Sequence, residues 1–129
     1  MDMETIQQAS ALHEYTQDIE QKIEFVEGQI AELEQFTKSL SALIKTNESS
    51  TLSSLGKGVY VKTKLEDKKL FVDVGQNILV RKTPEQAQEI IEGQIIRLKE
   101  LRVQLASQLE EYNIQLKKII EQIENSRKE

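Results

Sequence analysis

The chain has 129 residues, 38% hydrophobic and 30% charged, with one proline, one histidine and neither cysteine nor tryptophan. This excludes a disulfide framework and thiolate chemistry, and it fits an elongated helical protein better than a compact globule with a thick core. The net charge of −5 is uneven: residues 1–46 carry nine acids and three bases, residues 47–83 four acids and seven bases, and residues 84–129 nine acids and seven bases.

The opening stretch MDMETIQQAS lacks the basic start and apolar core of a signal peptide. No apolar run reaches the roughly 20 residues of a membrane span. A cytoplasmic protein without membrane contact is expected, and the sequon NES at Asn47 is a chance match. From about 4 to 46 the apolar residues recur at alternating steps of three and four. One series is Leu12, Ile19, Val26, Leu33 and Leu40; the other is Ala9, Thr16, Ile23, Ile30, Thr37 and Ile44. These are the d and a positions of a coiled-coil heptad. Gly28 interrupts this helix and Gly93 the next, and each marks a bend or close packing.

The middle, about 49–82, changes period. Val59, Val61, Thr63 and Leu65 alternate with Tyr60, Lys62 and Lys64 as in a half-buried strand. After the turn EDKK, Leu70, Val72 and Val74 alternate with Phe71 and Asp73; after Gly75-Gln76-Asn77, Ile78 and Val80 share a face. A weaker strand runs through SSTLSSL, residues 49–55, giving three or four strands in two successive hairpins. The seven central bases are scattered over these strands and turns, a solvated sheet face without the basic stripe that nucleic-acid binding needs.

The second helix, about 84–126, starts sharply. In KTPEQA, Thr83 is the N-cap, Pro84 the first helical residue and Gln86 closes a capping box. The seam then reads Ile91, Ile95, Leu98, Arg102, Leu105, Leu109, Tyr112, Leu116, Ile119 and Ile123. Each helix spans about 60 Å. Neither buries its stripe alone, so an antiparallel pair is expected. The expected register sets Leu40 against Ile95, Leu33 against Arg102, Val26 against Leu109, Ile19 against Leu116, Leu12 against Ile123, Ile44 against Ile91, Ile30 against Leu105 and Ile23 against Tyr112.

The small sheets are too small to stand alone and leave open edges. Strands from several subunits closing a shared barrel, with paired helices projecting from it, would satisfy both. The fold class is therefore α+β, mainly α: a long antiparallel two-helix coiled coil joined by two small β-hairpins that assemble into an inter-subunit β-barrel. The assembly face comprises Val59, Val61, Leu65, Leu70, Val72, Val74, Ile78 and Val80.

The stretch LGKGVYVKTKLEDKKLFVDVGQNILVRKTPEQAQEII, residues 55–91, resembles the prefoldin family, and the flanking heptads extend the resemblance over nearly the whole chain as a single domain, 1–129. The carrying motifs are LGKGVYV, LFVDVGQNILV and TPEQAQEII; Ser53-Ser54 stands where family members often have Val-Pro. Two hairpins between the helices resemble the α-class, archaeal-type subunit rather than the one-hairpin β-class. The resemblance implies a hexamer of two α-class and four β-class subunits, with two barrels and six arms. Such an assembly holds unfolded client proteins at its arm tips and passes them, without ATP, to a group II chaperonin.

In that arrangement both termini lie at the arm's far end, where helix ends fray. Ile6, Leu12, Ile119, Ile120 and Ile123 on the last turns, with Tyr15 and Ile114 off the strict seam, are the client-binding candidates. Leu12, Ile119 and Ile123 serve equally as ordinary seam residues. Phe36, Leu43, Ile90 and Leu101 are expected where helices meet strands, and Phe25 off the seam. No enzyme and no cofactor are expected. His13 in HEYTQ lacks a second histidine, and LGKGVY lacks the Gly-Lys-Ser/Thr of a phosphate loop. Two other readings remain: an adaptor that bridges fixed partners through the same coiled coil, and a subunit that assembles with itself.

Overall fold

The computed structural model describes residues 3–128. In chain order, α1 (Met3–Lys45) is followed by β1 (Ser50–Gly56), β2 (Val59–Lys64), β3 (Leu70–Asp73), β4 (Leu79–Lys82) and α2 (Pro84–Lys128). Two compact units result. One comprises α1 up to Glu32 with α2 from Ile95, the other Leu33–Gln94.

The helical unit is an antiparallel pair. Along both helices every seam position named from the sequence is buried or half-buried, including the polar Thr16, Thr37 and Arg102. Its core is Ile19, Val26, Ile30 and Leu105, with Ile23, Leu98, Leu109 and Tyr112 packed against them. The two threonines enter the seam without a cross-helix partner because each hydroxyl bonds back to its own helix. Thr16 Oγ1 donates to the His13 carbonyl (2.7 Å) and Thr37 Oγ1 to the Leu33 carbonyl (2.9 Å).

The register differs from the one expected. The ring of Tyr112 lies 5.8 Å from that of Tyr15, not beside Ile23. Leu98 packs in the cluster of Ile19–Ile30, two turns from where the expected register places it. In the other unit, Gln88 Nε2 donates to Ser41 Oγ at 3.2 Å, where the expected register sets Leu40 against Ile95. Both contacts fit helices slid by one heptad, which sets Thr16 against Tyr112, Ile23 against Leu105, Ile30 against Leu98 and Val26, rather than Leu33, against Arg102. The ring of Tyr15 lies tilted by 38° against that of Tyr112. Cysteines test the register directly, since the chain has none of its own. The pair Ile23→Cys and Leu105→Cys should oxidise to an intramolecular disulfide, whereas Ile30→Cys with Leu105→Cys should remain reduced, two helical turns being beyond the reach of a disulfide. Non-reducing mass analysis after cleavage reads the outcome.

Gly28 is exposed, and a methyl group there would meet no atom within 4 Å. Of the two readings of Gly28, a bend or close packing, close packing is ruled out: the position is an open helix surface. Gly28→Ala should raise thermal stability, by about 1 kcal/mol, through the lower backbone entropy of the unfolded chain.

In the second unit β1 pairs antiparallel with β2, and β3 with β4, as two separate two-stranded sheets. The serine-rich β1 is held by its backbone ladder, from Ser50 opposite Lys64 to Ser54 opposite Tyr60, and by an Oγ–Oγ1 bond of 2.9 Å between Ser53 and Thr63. The turns need left-handed backbone: φ is +103° at Gly56, +78° at Gly58 and +110° at Gly75. At the root of α2 the capping box is complete. Gln86 N–H donates to Thr83 Oγ1 (3.1 Å), and Thr83 N–H to Gln86 Oε1 (3.0 Å). Leu40, Ala87 and Ile91 are buried.

Candidate functional site

Two surfaces carry the residues that the sequence singles out. The first is the strands. Pairing Leu70 with Lys82 and Val72 with Val80 fixes one face of the β3–β4 sheet, and Phe71 with Arg81 and Asp73 with Leu79 fixes the other. Val72, Val74 and Ile78 are exposed, Leu70 and Val80 half-buried. In the β1–β2 sheet Val59 and Val61 are exposed on the face shared with Thr51, Ser53 and Thr63; Leu65, past the strand end, is half-buried. Exposed valines in a row on a two-stranded ribbon are an unpartnered apolar face, because solvated strands normally place polar residues there.

Sequence reasoning missed that both faces carry apolar residues. Leu52 and Tyr60 lie with Lys62 on the opposite face of the first sheet, and Phe71 and Leu79 on the opposite face of the second; all four apolar residues are exposed. The adjacent apolar pairs Leu70-Phe71 and Ile78-Leu79 were the available signal, since neighbours on a strand point to opposite faces. Residues from both faces of β3 line one local groove. Phe36 and Ile90 line a groove of about 470 Å³ with Leu33, Leu70, Phe71, Val72 and Ile91, so Phe36 and Ile90 do lie where helix meets strand. Leu101 does not: it lines a groove of the helical unit with Phe25, Leu98 and Leu105. Leu43 is half-buried.

The second surface is the free end of the helical pair. Leu12, Ile119 and Ile123 are half-buried in the seam. Ile6, Tyr15, Ile114 and Ile120 stand off it with 44%, 52%, 50% and 44% of their surface exposed. These four are large apolar groups interleaved with Gln7, Gln8, Glu121 and other exposed polar residues. Of the four, Tyr15 rests against the seam residue Tyr112, with ring centroids 5.8 Å apart. No helix among the described residues is long and apolar enough to cross a membrane.

In sequence, two long helices flank two antiparallel hairpins, and comparison with known proteins decides what that order is. The prefoldin family, described as prefoldin subunit, matches residues 12–129. This chain belongs to the prefoldin family. It is 31% identical over 99 residues to the prefoldin subunit alpha of Nitrosopumilus maritimus (strain SCM1), a match covering 76% of this chain and 66% of that protein. The matched stretch thus spans just under two thirds of the relative's length. Among solved structures it is similar to the cryo-EM structure of filamentous PFD from Methanocaldococcus jannaschii, with a TM-score of 0.75 and 27% identity over 88% of this chain and 96% of that one. The two hairpins agree with an α-type prefoldin subunit, as does the α subunit from Nitrosopumilus.

Proposed function

We propose that this chain is the α-class subunit of a cytoplasmic, ATP-independent prefoldin holdase. Its strand faces close a β-barrel with β-class subunits, two α to four β. The free ends of its helices hold unfolded clients and pass them to a group II chaperonin. Family membership supports a chaperone-type subunit. The observation that carries the client reading is the set of four exposed apolar side chains, Ile6, Tyr15, Ile114 and Ile120, at the free end of the helices. Weak apolar contacts of this kind tolerate many sequences, and several arms acting on one chain multiply them into useful avidity.

The test is to co-express the chain with a β-class prefoldin subunit, measure the mass of the complex, and follow aggregation of a chemically unfolded test protein. The holdase reading expects a hexamer that suppresses aggregation without nucleotide. An adaptor bridging fixed partners would give a few saturable partners and no suppression. The likeness to a filamentous relative favours a second mode of assembly, copies of this chain pairing through the same strand faces; a ladder of masses from the chain alone would identify it.

A further inference from the structure

The connection between the two hairpins, residues 65–69, has no regular secondary structure. Two consecutive side chains fix it in opposite directions. Lys68 is half-buried, and its ammonium donates to the carbonyls of Ile44 (3.0 Å) and Thr46 (2.6 Å). Those carbonyls belong to the last turn of α1 and its exit, where helical acceptors lack helical donors and the negative end of the helix dipole gathers. Asp67 turns the other way. Its carboxylate accepts the Lys69 N–H (2.9 Å) and the Arg81 guanidinium (3.5 Å), which also lies 5.6 Å over the ring of Phe71. Just before this segment the Leu65 N–H donates to the Ser49 carbonyl (2.6 Å), closing the first hairpin. The second hairpin is therefore rooted on the end of α1 by one cation bonded to two backbone carbonyls.

We propose that Lys68 is a positioning residue for assembly: its ammonium, seated on the last carbonyls of α1, sets the root from which the β3–β4 hairpin presents its apolar face. This rests on the reading that the strand faces carry assembly. A neutral side chain of similar length would leave the carbonyls to water and let residues 66–69 swing. The hairpin's own ladder would survive, because it is made within β3 and β4.

The experiment compares the full chain with Lys68→Met and Lys68→Arg. Hydrogen exchange on the chain alone reads the latch. Amides of the connection, residues 66–69, should exchange about tenfold faster in Lys68→Met, as expected for loss of charge-assisted bonds, while the β3–β4 ladder and residues 98–112 remain unchanged. The retained cation of Lys68→Arg should restore slow exchange. Association with a β-class subunit should weaken by about tenfold in Lys68→Met and recover in Lys68→Arg. Unchanged exchange in Lys68→Met would overturn the latch. Faster exchange with unchanged association would overturn its role in assembly. If the unmodified chain itself fails to associate, the reading of the strand faces fails, while the exchange result still decides the latch.

Discussion

Val61→Asp or Val72→Asp should abolish assembly while leaving the isolated chain folded. Both valines are exposed in the single chain, at 42% and 38%, so a carboxylate there stays solvated and costs the monomer little. In a closed barrel the same carboxylate would be buried without a cation. An unpaired buried charge costs about 3–5 kcal/mol, more than a hundredfold in association for each strand so altered. The two sites lie on different sheets, and either should suffice, since each hairpin contributes its own face. Lys62→Asp is the control: Lys62 pairs with Leu52 on the opposite face of the first sheet, and reversing its charge should leave assembly largely intact. Native mass measurement with a β-class subunit reads all three. Assembly of Val61→Asp and Val72→Asp at the unmodified affinity would place the subunit contacts elsewhere.

The second large effect is expected at the free end of the helices. Replacing Ile6, Tyr15, Ile114 and Ile120 together by serine should reduce aggregation suppression at least tenfold, because multivalent capture multiplies the loss from each arm. The cost in stability should be small. Exposed substitutions typically change stability by within about 0.5 kcal/mol each, and Tyr15 adds the loss of its ring contact with Tyr112, roughly 1 kcal/mol. Leu12, Ile119 and Ile123 separate the two roles. They are half-buried in the seam, so replacing them by alanine should lower the thermal midpoint as well as activity. A quadruple serine variant that suppresses aggregation normally would remove these four residues from client capture.

Much of the architecture was legible in the sequence. A strict heptad cannot hide, and every seam residue read from Ala9 to Ile123 is buried or half-buried. Thr83, Pro84 and Gln86 announced the start of α2 because a capping box is local chemistry. Register was not legible. Sliding an antiparallel pair by seven residues meets an identical alternation of a and d positions, so periodicity alone cannot choose. What marks the register is non-repeating: the ring contact of Tyr112 with Tyr15, and the bond of Gln88 to Ser41. Leu101 was misplaced for another reason: it lies nearly five turns along α2 from Pro84, too far to reach the strands. In the strands, alternation revealed the valine faces but concealed Phe71 and Leu79, because a strand with apolar residues on both faces has no polar side to be read against. Lys68 had no sequence signature at all. A lysine in EDKK reads as a solvated turn, and only the folded backbone shows that its ammonium reaches the end of α1.

The measurement that tests the central claim most directly uses the assembled complex. Aggregation of a chemically unfolded test protein would be followed with the intact hexamer and with a hexamer whose copies of this chain lack residues 1–15 and 113–129. In the register found here those cuts are nearly flush, ending the pair at Thr16 and Tyr112. The account predicts suppression by the intact hexamer and its loss, or a large reduction, in the truncated one at unchanged subunit number. Equal suppression by both would contradict capture at the ends of these helices.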